Sequence, residues 1–532
     1  MNKIIKLSFI AATLVAFTGC KKFVDVNDNP NTAITTSASY VFTGALGTTY
    51  RNQVGGNVHI TPGTWTGYYG HSTSFTGGGA EKEYEYTTAD FNAFDGLFDN
   101  LSDYQYVRNN ADKDGVAFLK DPANIMQCYV YQELVDLYGD VPYGDAFKGT
   151  ENILPAYAKQ KDIYEDLVKR LDASMTAMTA ATWPTDAAKL AVDIFFQGNK
   201  SNWIRFANTL KLRILMRQSF MPGRDGYITT NINSTLANGY ITANVLCSPG
   251  YQVIAGKLNP FYNNWGYNEL NNVVSNHQYR KMGGAIVNWL KRSETTNALP
   301  PAAAPAPTAD ADTFRLQSLA WPAGTTPSAP STNLSTYLGV PMGVGSGYST
   351  SGSSPIGPFQ VQVGFGTRPG MFMLLAEALF LQAEAAQRYA IAFPAGTAQQ
   401  CYEAGILSHF RTCAAPSTAG NASNTGDAFA LRYIARPINN IGWASSTDKI
   451  RAILIQKWVS LCHINGLEAW SEYRKSSGSA SEGVPIKVRT RVTTSNPEPA
   501  RYLYPQREHD SNGANVPQNI DRFTSKIFWD VN

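Results

Sequence analysis

Apolar residues that return every three or four positions dominate two long stretches of this chain, and that period admits little except amphipathic helices packed on one another. In Asp162 to Met178 the residues Ile163, Leu167, Leu171, Met175 and Met178 fall on one face, and Asp162 with Glu165 predicts a capping box at the helix start. Asn124 to Tyr138 repeats the pattern through Met126, Val130, Leu134 and Leu137, and Ser201 to Gln218 through Trp203, Phe206, Leu210 and Ile214. The period returns in Pro369 to Tyr389, through Met371, Leu374, Leu375, Ala378, Leu379 and Gln382. It returns once more in Asp448 to His463, through Ile450, Ile453, Leu454, Trp458 and Leu461. Trp458 and Trp470, twelve positions apart, then fall near one helix face and read as core. Helices joined by short loops predict a mainly α fold of tetratricopeptide-like helix pairs, although no strict 34-residue repeat is visible.

The 532 residues carry 44 Lys and Arg against 41 Asp and Glu, a net charge of +3, and 43% of them are apolar. Such a chain buries a substantial core, which excludes disorder for most of its length. Only 16% of residues are charged, so uncharged Asn, Thr, Ser, Gln and Gly cover much of the surface. No dense basic face is left to neutralise phosphates, and nucleic acid is excluded as a partner. From Gly223 to Thr367 short apolar stretches alternate with Gly, Pro, Ser and Asn, and Ala298 to Pro307 is a Pro/Ala run suited to an exposed loop. The expected organisation is one large domain over 37–532, with helix pairs over 90–220, a loop-rich insertion over 223–367 and C-terminal helices over 369–475. Such an insertion is the usual place for a binding surface.

Lys3 and Lys6 precede an uncharged run from Leu7 to Phe17, followed by Thr18, Gly19 and Cys20, which is the layout of an export signal over residues 1–19. The run falls short of the roughly 20 residues a spanning helix needs. Cys20 after a small residue resembles the bacterial lipobox, in which that cysteine is acylated and becomes the mature N-terminus. Acyl chains would hold the protein to a membrane, with residues 20–36 as a polar leader. Cys128, Cys247, Cys401, Cys413 and Cys462 form no CxxC, so a zinc cluster or redox pair is not expected. Cys128 and Cys462 read as buried small hydrophobes, while a Cys401–Cys413 bridge stays open.

Catalytic signatures are missing. The six His residues stand singly, without HxH or HExxH spacing, and no GxSxG, GxxxxGK[ST] or GxGxxG occurs. Gly343, Gly345 and Gly347 read as a flexible loop. Asp25, Asn27 and Asn29 imitate the start of a calcium loop, but Pro30 and Thr36 occupy the positions that need Gly and Glu. Asp112-Lys113-Asp114-Gly115 reads as a turn between helices. No metal or cofactor is expected. A glycoside hydrolase stays open, because its two carboxylates need no fixed spacing.

Five stretches together resemble the SusD/RagB family of outer-membrane nutrient-binding lipoproteins, in its SusD-like branch. They are Cys20 to Asn27 with Asn29-Pro30-Asn31, Leu134 to Ala146 (LVDLYGDVPYGDA), and Phe206 to Arg213 (FANTLKLR) with Arg217. The last two are Ile455 to Lys475 (IQKWVSLCHINGLEAWSEYRK) and the tail residues Arg501, Tyr504, Pro505, Glu508 and Asn512. Each also has a plain physical reading as scaffold: Gly139 and Pro142 end a helix, and Arg213, Arg474 and Arg501 pair with carboxylates at helix ends. The resemblance implies a non-enzymatic lid over a SusC-like TonB-dependent transporter barrel, capturing an oligosaccharide or, alternatively, a peptide at the cell surface. It implies aromatic rings stacking on sugar faces with amides satisfying hydroxyls. Tyr262, Trp265 and Tyr267, set among Asn263, Asn264, Asn268, Asn271 and Asn272, form a segment too polar for a core helix. They suit a carbohydrate and suit local packing equally. Trp65, Tyr68, Tyr69 and His71 precede Gly77-Gly78-Gly79, with Trp65 and Tyr69 spaced as ligand contacts or as one buried helix stripe. Trp321 and Tyr348 complete the aromatic candidates in the Gly/Ser/Pro-rich part.

Overall fold

A computed structural model describes residues 36–291, 311–324, 329–414, 426–476 and 496–531. The export signal, Cys20 with nearly all of its leader, and the Ala298 to Pro307 run lie outside the described residues. The scaffold helices are α1 (Ala38–Gln53), α2 (Phe94–Asn110), α3 (Lys120–Tyr138), α4 (Gln160–Ala180), α5 (Lys200–Met216), α6 (Leu375–Tyr389), α7 (Ala398–Ala414), α8 (Lys449–Leu461) and α9 (Gly466–Ser476). Helices α1 to α5 pack in succession, each against the next, α5 joins α6, and α6 is flanked by α7 and α8. This is the tetratricopeptide-like helical scaffold that the apolar period predicts, with one continuous apolar core running from Ala38 to Trp529.

Local chemistry sets the helix ends. Asn199 and Asp448 accept from the backbone N–H groups of Asn202 and Arg451, at 3.0 and 2.9 Å, and so cap α5 and α8. Gly139 ends α3 with a φ of +78°, which a side chain would resist, and Val141–Pro142 then pairs with Tyr157–Ala158 as a two-residue ladder. The Asp112–Gly115 segment is a turn, as expected, and Asp114 Oδ2 accepts from the N–H of Ala38 at 2.7 Å, tying the start of α1 to the loop after α2.

Three expectations need correction. The predicted Asp162–Glu165 box does not form: α4 starts earlier, Lys159 is its N-cap and no side chain caps it. The helix predicted from Pro369 begins only at Leu375, because Gly370–Met373 is a strand paired with Val245–Cys247. A four-residue strand has too few positions for its apolar period to separate from a helix's. Trp458 and Trp470 are both buried but sit on separate helices, since His463 at φ +64° breaks the run between α8 and α9. All five cysteines among the described residues are free and buried, so Cys401 and Cys413 are not bridged.

Where α3, α5, α6, α8 and α9 meet, four cations and five carboxylates are buried together, with the half-buried Arg388 at the edge. Arg213 Nε donates to Glu377 Oε1 at 2.7 Å. Arg217 reaches Glu468, Glu472 at 2.9 Å and Asp136 at 3.6 Å. Lys457 lies 3.5 and 3.3 Å from Glu468 and Glu472, and Lys475 lies 3.1 and 3.2 Å from Glu472 and Glu384. Arg388 closes the set on Glu384 at 3.0 Å. Burial pushes the Glu472 carboxyl up, but Lys457, Lys475 and Arg217 outweigh it and hold it at about 2. The stretches that carry the family resemblance supply most of this cluster: Asp136, Arg213, Arg217, Lys457, Glu468, Glu472 and Lys475. Of the three arginines assigned to helix-end carboxylates, Arg213 behaves so. Arg474 donates to the carbonyls of Ala500 and Asp136 at 2.7 and 2.8 Å and lies over the Trp470 ring, and Arg501 donates to the carbonyl of Tyr502.

Removing one member of a buried ion cluster strands its partners and costs about 3–5 kcal/mol. Arg217→Met is therefore expected to lower unfolding stability by that amount in urea denaturation. The double variant Arg217→Met/Glu468→Met should lose less than the sum of the two single changes, because the stranded charge goes too.

Candidate functional site

The fold separates the aromatic residues singled out in sequence. Trp65 ends a short helix, Thr61–Trp65, and its ring is enclosed by Trp470, Tyr86, Phe91 and Tyr502, with the nearest centroid at 4.9 Å. Its Nε1 donates to the carbonyl of Glu81 at 3.1 Å. Tyr69 opens the strand Tyr69–His71, so the two are buried by a helix-to-strand turn and not as one helix stripe. The polar segment around Trp265 also departs from expectation, because Pro260–Trp265 is helical and covered. Trp265 points into the main core and donates to the carbonyl of Val54 at 2.9 Å. Tyr262 and Tyr267 instead pair at 5.7 Å in a small separate cluster with Leu258, where burial raises the Tyr267 hydroxyl to about 12. The amides nearby serve the backbone: Asn259 caps the helix, and Asn268 accepts from the N–H groups of Leu270 and Asn272 at 3.0 and 2.9 Å. No ring face of Trp65, Tyr69 or Trp265 is open to solvent, and all three pack in the core, the packing alternative that the sequence also carried.

Tyr69 is fixed by a buried polar chain. His59 Nδ1 accepts from the N–H of Gly466 at 3.0 Å, so its Nε2 carries the proton donated to Tyr69 Oη at 2.8 Å. The Tyr69 hydroxyl donates in turn to His463 Nδ1 at 2.9 Å, and His463 Nε2 donates to the carbonyl of Leu319 at 2.8 Å. Every donor and acceptor is used, and both rings are neutral.

What converges is a small irregular sheet built from loops. Tyr69–His71 pairs antiparallel with Arg280–Met282. Lys281 bridges to Pro355, Met282 N–H donates to the carbonyl of Ser354 at 2.8 Å, and Ala320 bridges to Ile356. Trp321 N–H donates to the carbonyl of Pro355 at 3.1 Å. The loops at the margin are stitched together as well. Thr73 N–H donates to the carbonyl of Tyr348 at 2.8 Å, and Tyr348 N–H returns to Thr73 Oγ1 at 3.0 Å. Phe75, 37% exposed, meets the half-buried ring of Tyr279 edge-on at 5.5 Å, and Tyr348 is also half-buried. Gly78, at φ +81°, leaves room for this margin, since a Cβ there would stand 2.6 Å from Tyr279 Oη.

A buried charge group holds the margin in place. Arg280 forks onto Glu81, with Nη1 to Oε1 at 2.9 Å and Nη2 to Oε2 at 2.6 Å, and His71 Nε2 lies 2.9 Å from Glu81 Oε2. Burial pushes the Glu81 carboxyl up, but Arg280 and His71 outweigh it and hold it well below the usual range. Burial and the Arg280 charge lower His71 to about 4, so its ring is neutral. Arg280 in turn lies 5.1 Å from the Tyr279 ring centre. Two polar groups are left over: the covered Trp321 indole N–H has no acceptor among the described residues, and Lys281 has no ion pair there, burial lowering it to about 8. Of the residues named from sequence, Tyr69, His71, Trp321 and Tyr348 gather here, whereas Trp65, Tyr262, Trp265 and Tyr267 do not. Phe75 and Tyr279 escape sequence reading, because they lie more than 200 residues apart and only the fold pairs them. Partly exposed rings beside fixed donors can stack on the apolar face of a sugar and bond to its edge. Among the described residues no group of three or more His, Cys, Asp or Glu is placed to hold a metal, and no helix is long and apolar enough to cross a membrane.

Comparison with known proteins bears on the whole chain. A family model, SusD-like_2, described as starch-binding and associating with the outer membrane, matches residues 30–294 and 315–505. A solved SusD/RagB family protein from Bacteroides thetaiotaomicron superposes with a TM-score of 0.71 at 16% identity, covering 94% of this chain and 100% of the other. A chitin-binding protein gives 0.67 at 21% identity, over 93% and 100% of the two chains. A chitin-binding SusD homolog from Flavobacterium johnsoniae gives 0.65 at 20%, over 93% and 99%. At these identities the structures establish a shared fold. No curated protein sequence matches the chain.

The buried histidines make stability depend on acid. Burial lowers His59 to about 3 and His71, His277 and His463 to about 4, with His409 well below its ordinary value. The unfolded chain takes up these protons near pH 6.5 and the native chain does not, so stability is full above pH 6.5 and falls as pH drops towards 4. Each histidine contributes up to about 1.4 kcal/mol per pH unit. Urea midpoints measured between pH 7 and 5 should fall steeply, and a flat profile would contradict the neutral assignment.

Proposed function

The chain belongs to the SusD-like family, described as starch-binding and associating with the outer membrane, and on that premise we propose that it is a lipid-anchored surface protein that captures an oligosaccharide and passes it, chemically unaltered, to a TonB-dependent transporter barrel beneath it. The observation that carries the reading is the loop-built sheet margin, where Phe75, Tyr279 and Tyr348 come together from three distant segments around the Arg280–Glu81 fork. A glycan offers apolar ring faces and polar edges, and this margin offers both complements; a peptide would ask for an open strand edge or an apolar groove. The chitin-binding descriptions of two structural relatives support a saccharide over a peptide. Cys20, at the end of the export signal, is the proposed anchor. The lid role follows from the family premise, with the helix-pair scaffold as rigid body and the loops as contact surface.

Calorimetry with chitin- and starch-derived oligosaccharides tests the ligand class. Phe75→Ala and Tyr279→Ala are each expected to weaken binding by about 1–3 kcal/mol, as lost ring stacking does, with the fold intact. Trp265→Ala should instead destabilise the fold by about 3–5 kcal/mol, as a core cavity does. Release of cleaved sugar would overturn the transport reading in favour of a hydrolase.

Mass spectrometry of the mature N-terminus should find an acylated Cys20, and Cys20→Ser should move the protein from the membrane fraction to the soluble one. An unmodified Cys20 in membrane-bound material would refute the anchor.

A further inference from the structure

A second site lies in the helix-pair region, in elements that share nothing with the loop-built sheet. Side chains of α2, α3 and α4 and the turn after Pro142 line a half-open polar cavity of about 330 Å³. Two guanidiniums face it, and they share one acceptor: Arg108 Nη1 and Arg170 Nη2 both donate to Gln127 Oε1, at 2.8 and 2.7 Å. Neither forms an ion pair within the described residues. Arg170 is otherwise satisfied, with Nε on Asn124 Oδ1 at 3.0 Å and Nη1 on Tyr143 Oη at 3.0 Å. The Tyr143 hydroxyl donates to Asp166 Oδ2 at 2.5 Å, so this carboxylate, also on the cavity wall, is engaged by the tyrosine and not by the arginines. Lys148, also on the wall, is paired with Asp145 at 2.6 Å. Among the described residues the Nε and Nη2 edge of Arg108 has no hydrogen-bond partner. Burial and, after it, the neighbouring Arg170 charge lower the Arg108 guanidinium. Tyr131, Tyr143 and Phe147 also line the cavity, with Arg170 lying over the first two rings, and the surface left open is mostly polar.

We propose that this cavity binds a carboxylate carried on a group the size of one sugar ring, such as a hexuronic acid, with the free edge of Arg108 forking onto the carboxylate. Two parallel N–H donors match the two carboxylate oxygens, and the volume sits at the small end of ligand pockets. The inference stands apart from the sheet-margin reading, and either can fail without the other.

Titration of the full chain with sodium glucuronate and, separately, glucose, followed by calorimetry, is the test. Glucuronate should bind at least tenfold more tightly than glucose and weaken several-fold in 0.5 M NaCl. Arg108→Gln should abolish the preference, whereas Lys148→Gln should leave it in place. If Arg108→Gln does not fold, Arg108→Lys, which keeps the charge but loses the fork, should cut the preference at least threefold. Equal binding of the two sugars, binding of sodium sulfate but not of glucuronate, or an undiminished preference in a folded Arg108 variant would each overturn the proposal.

Discussion

Four positive and five negative groups removed from water at the junction of five helices, with the half-buried Arg388 beside them, set the terms on which this molecule folds. A buried ion is tolerated only when its opposite is within reach, so α3, α5, α6, α8 and α9 have essentially one mutual arrangement that leaves no charge stranded. Apolar packing alone would permit helices to slide by a turn at modest cost. Here a one-turn slip would part Arg217 from Glu468 and Glu472 together. The cluster therefore acts chiefly as a register device for the scaffold.

That role explains which sequence features were readable. The long helices announce themselves through their apolar period, and α3, α4, α5 and α8 lie within a few residues of where that period puts them. The four stretches of the family resemblance that lie among the described residues also proved to be scaffold, as their physical reading suggested. Failures came where local pattern is silent about context. Gly370–Met373 continues a helical period but is claimed by a strand partner more than 120 residues upstream, at Val245–Cys247. Asp162 and Glu165 match a cap motif, yet the chain enters the helix a turn earlier.

The binding surface was harder to read, for a different reason. Aromatic residues interleaved with asparagines look alike whether the amides await a ligand or close turns, and around Trp265 they close turns. Density of aromatics in one segment marks a core contribution here, while the partly exposed rings come from separate segments: Phe75 and Tyr279 meet only in the fold, and the segment of Tyr348 is joined to theirs by backbone hydrogen bonds. A ligand surface assembled from three loops leaves no spacing signature, because its geometry is tertiary.

The His59–Tyr69–His463 chain carries one more implication, for the order in which the molecule is made. Its links span 394 residues between Tyr69 and His463 and 407 between Gly466 and His59, and it ends on Leu319 in the loop-rich middle. Contacts of such separation close only after loop-closure entropy has been met elsewhere, so they belong to the last steps of folding. Because Tyr69 also begins the sheet that presents the exposed rings, the ligand-facing margin is completed only when the C-terminal helices have docked. A nascent chain released before residue 466 therefore carries the aromatic residues but not the surface they form.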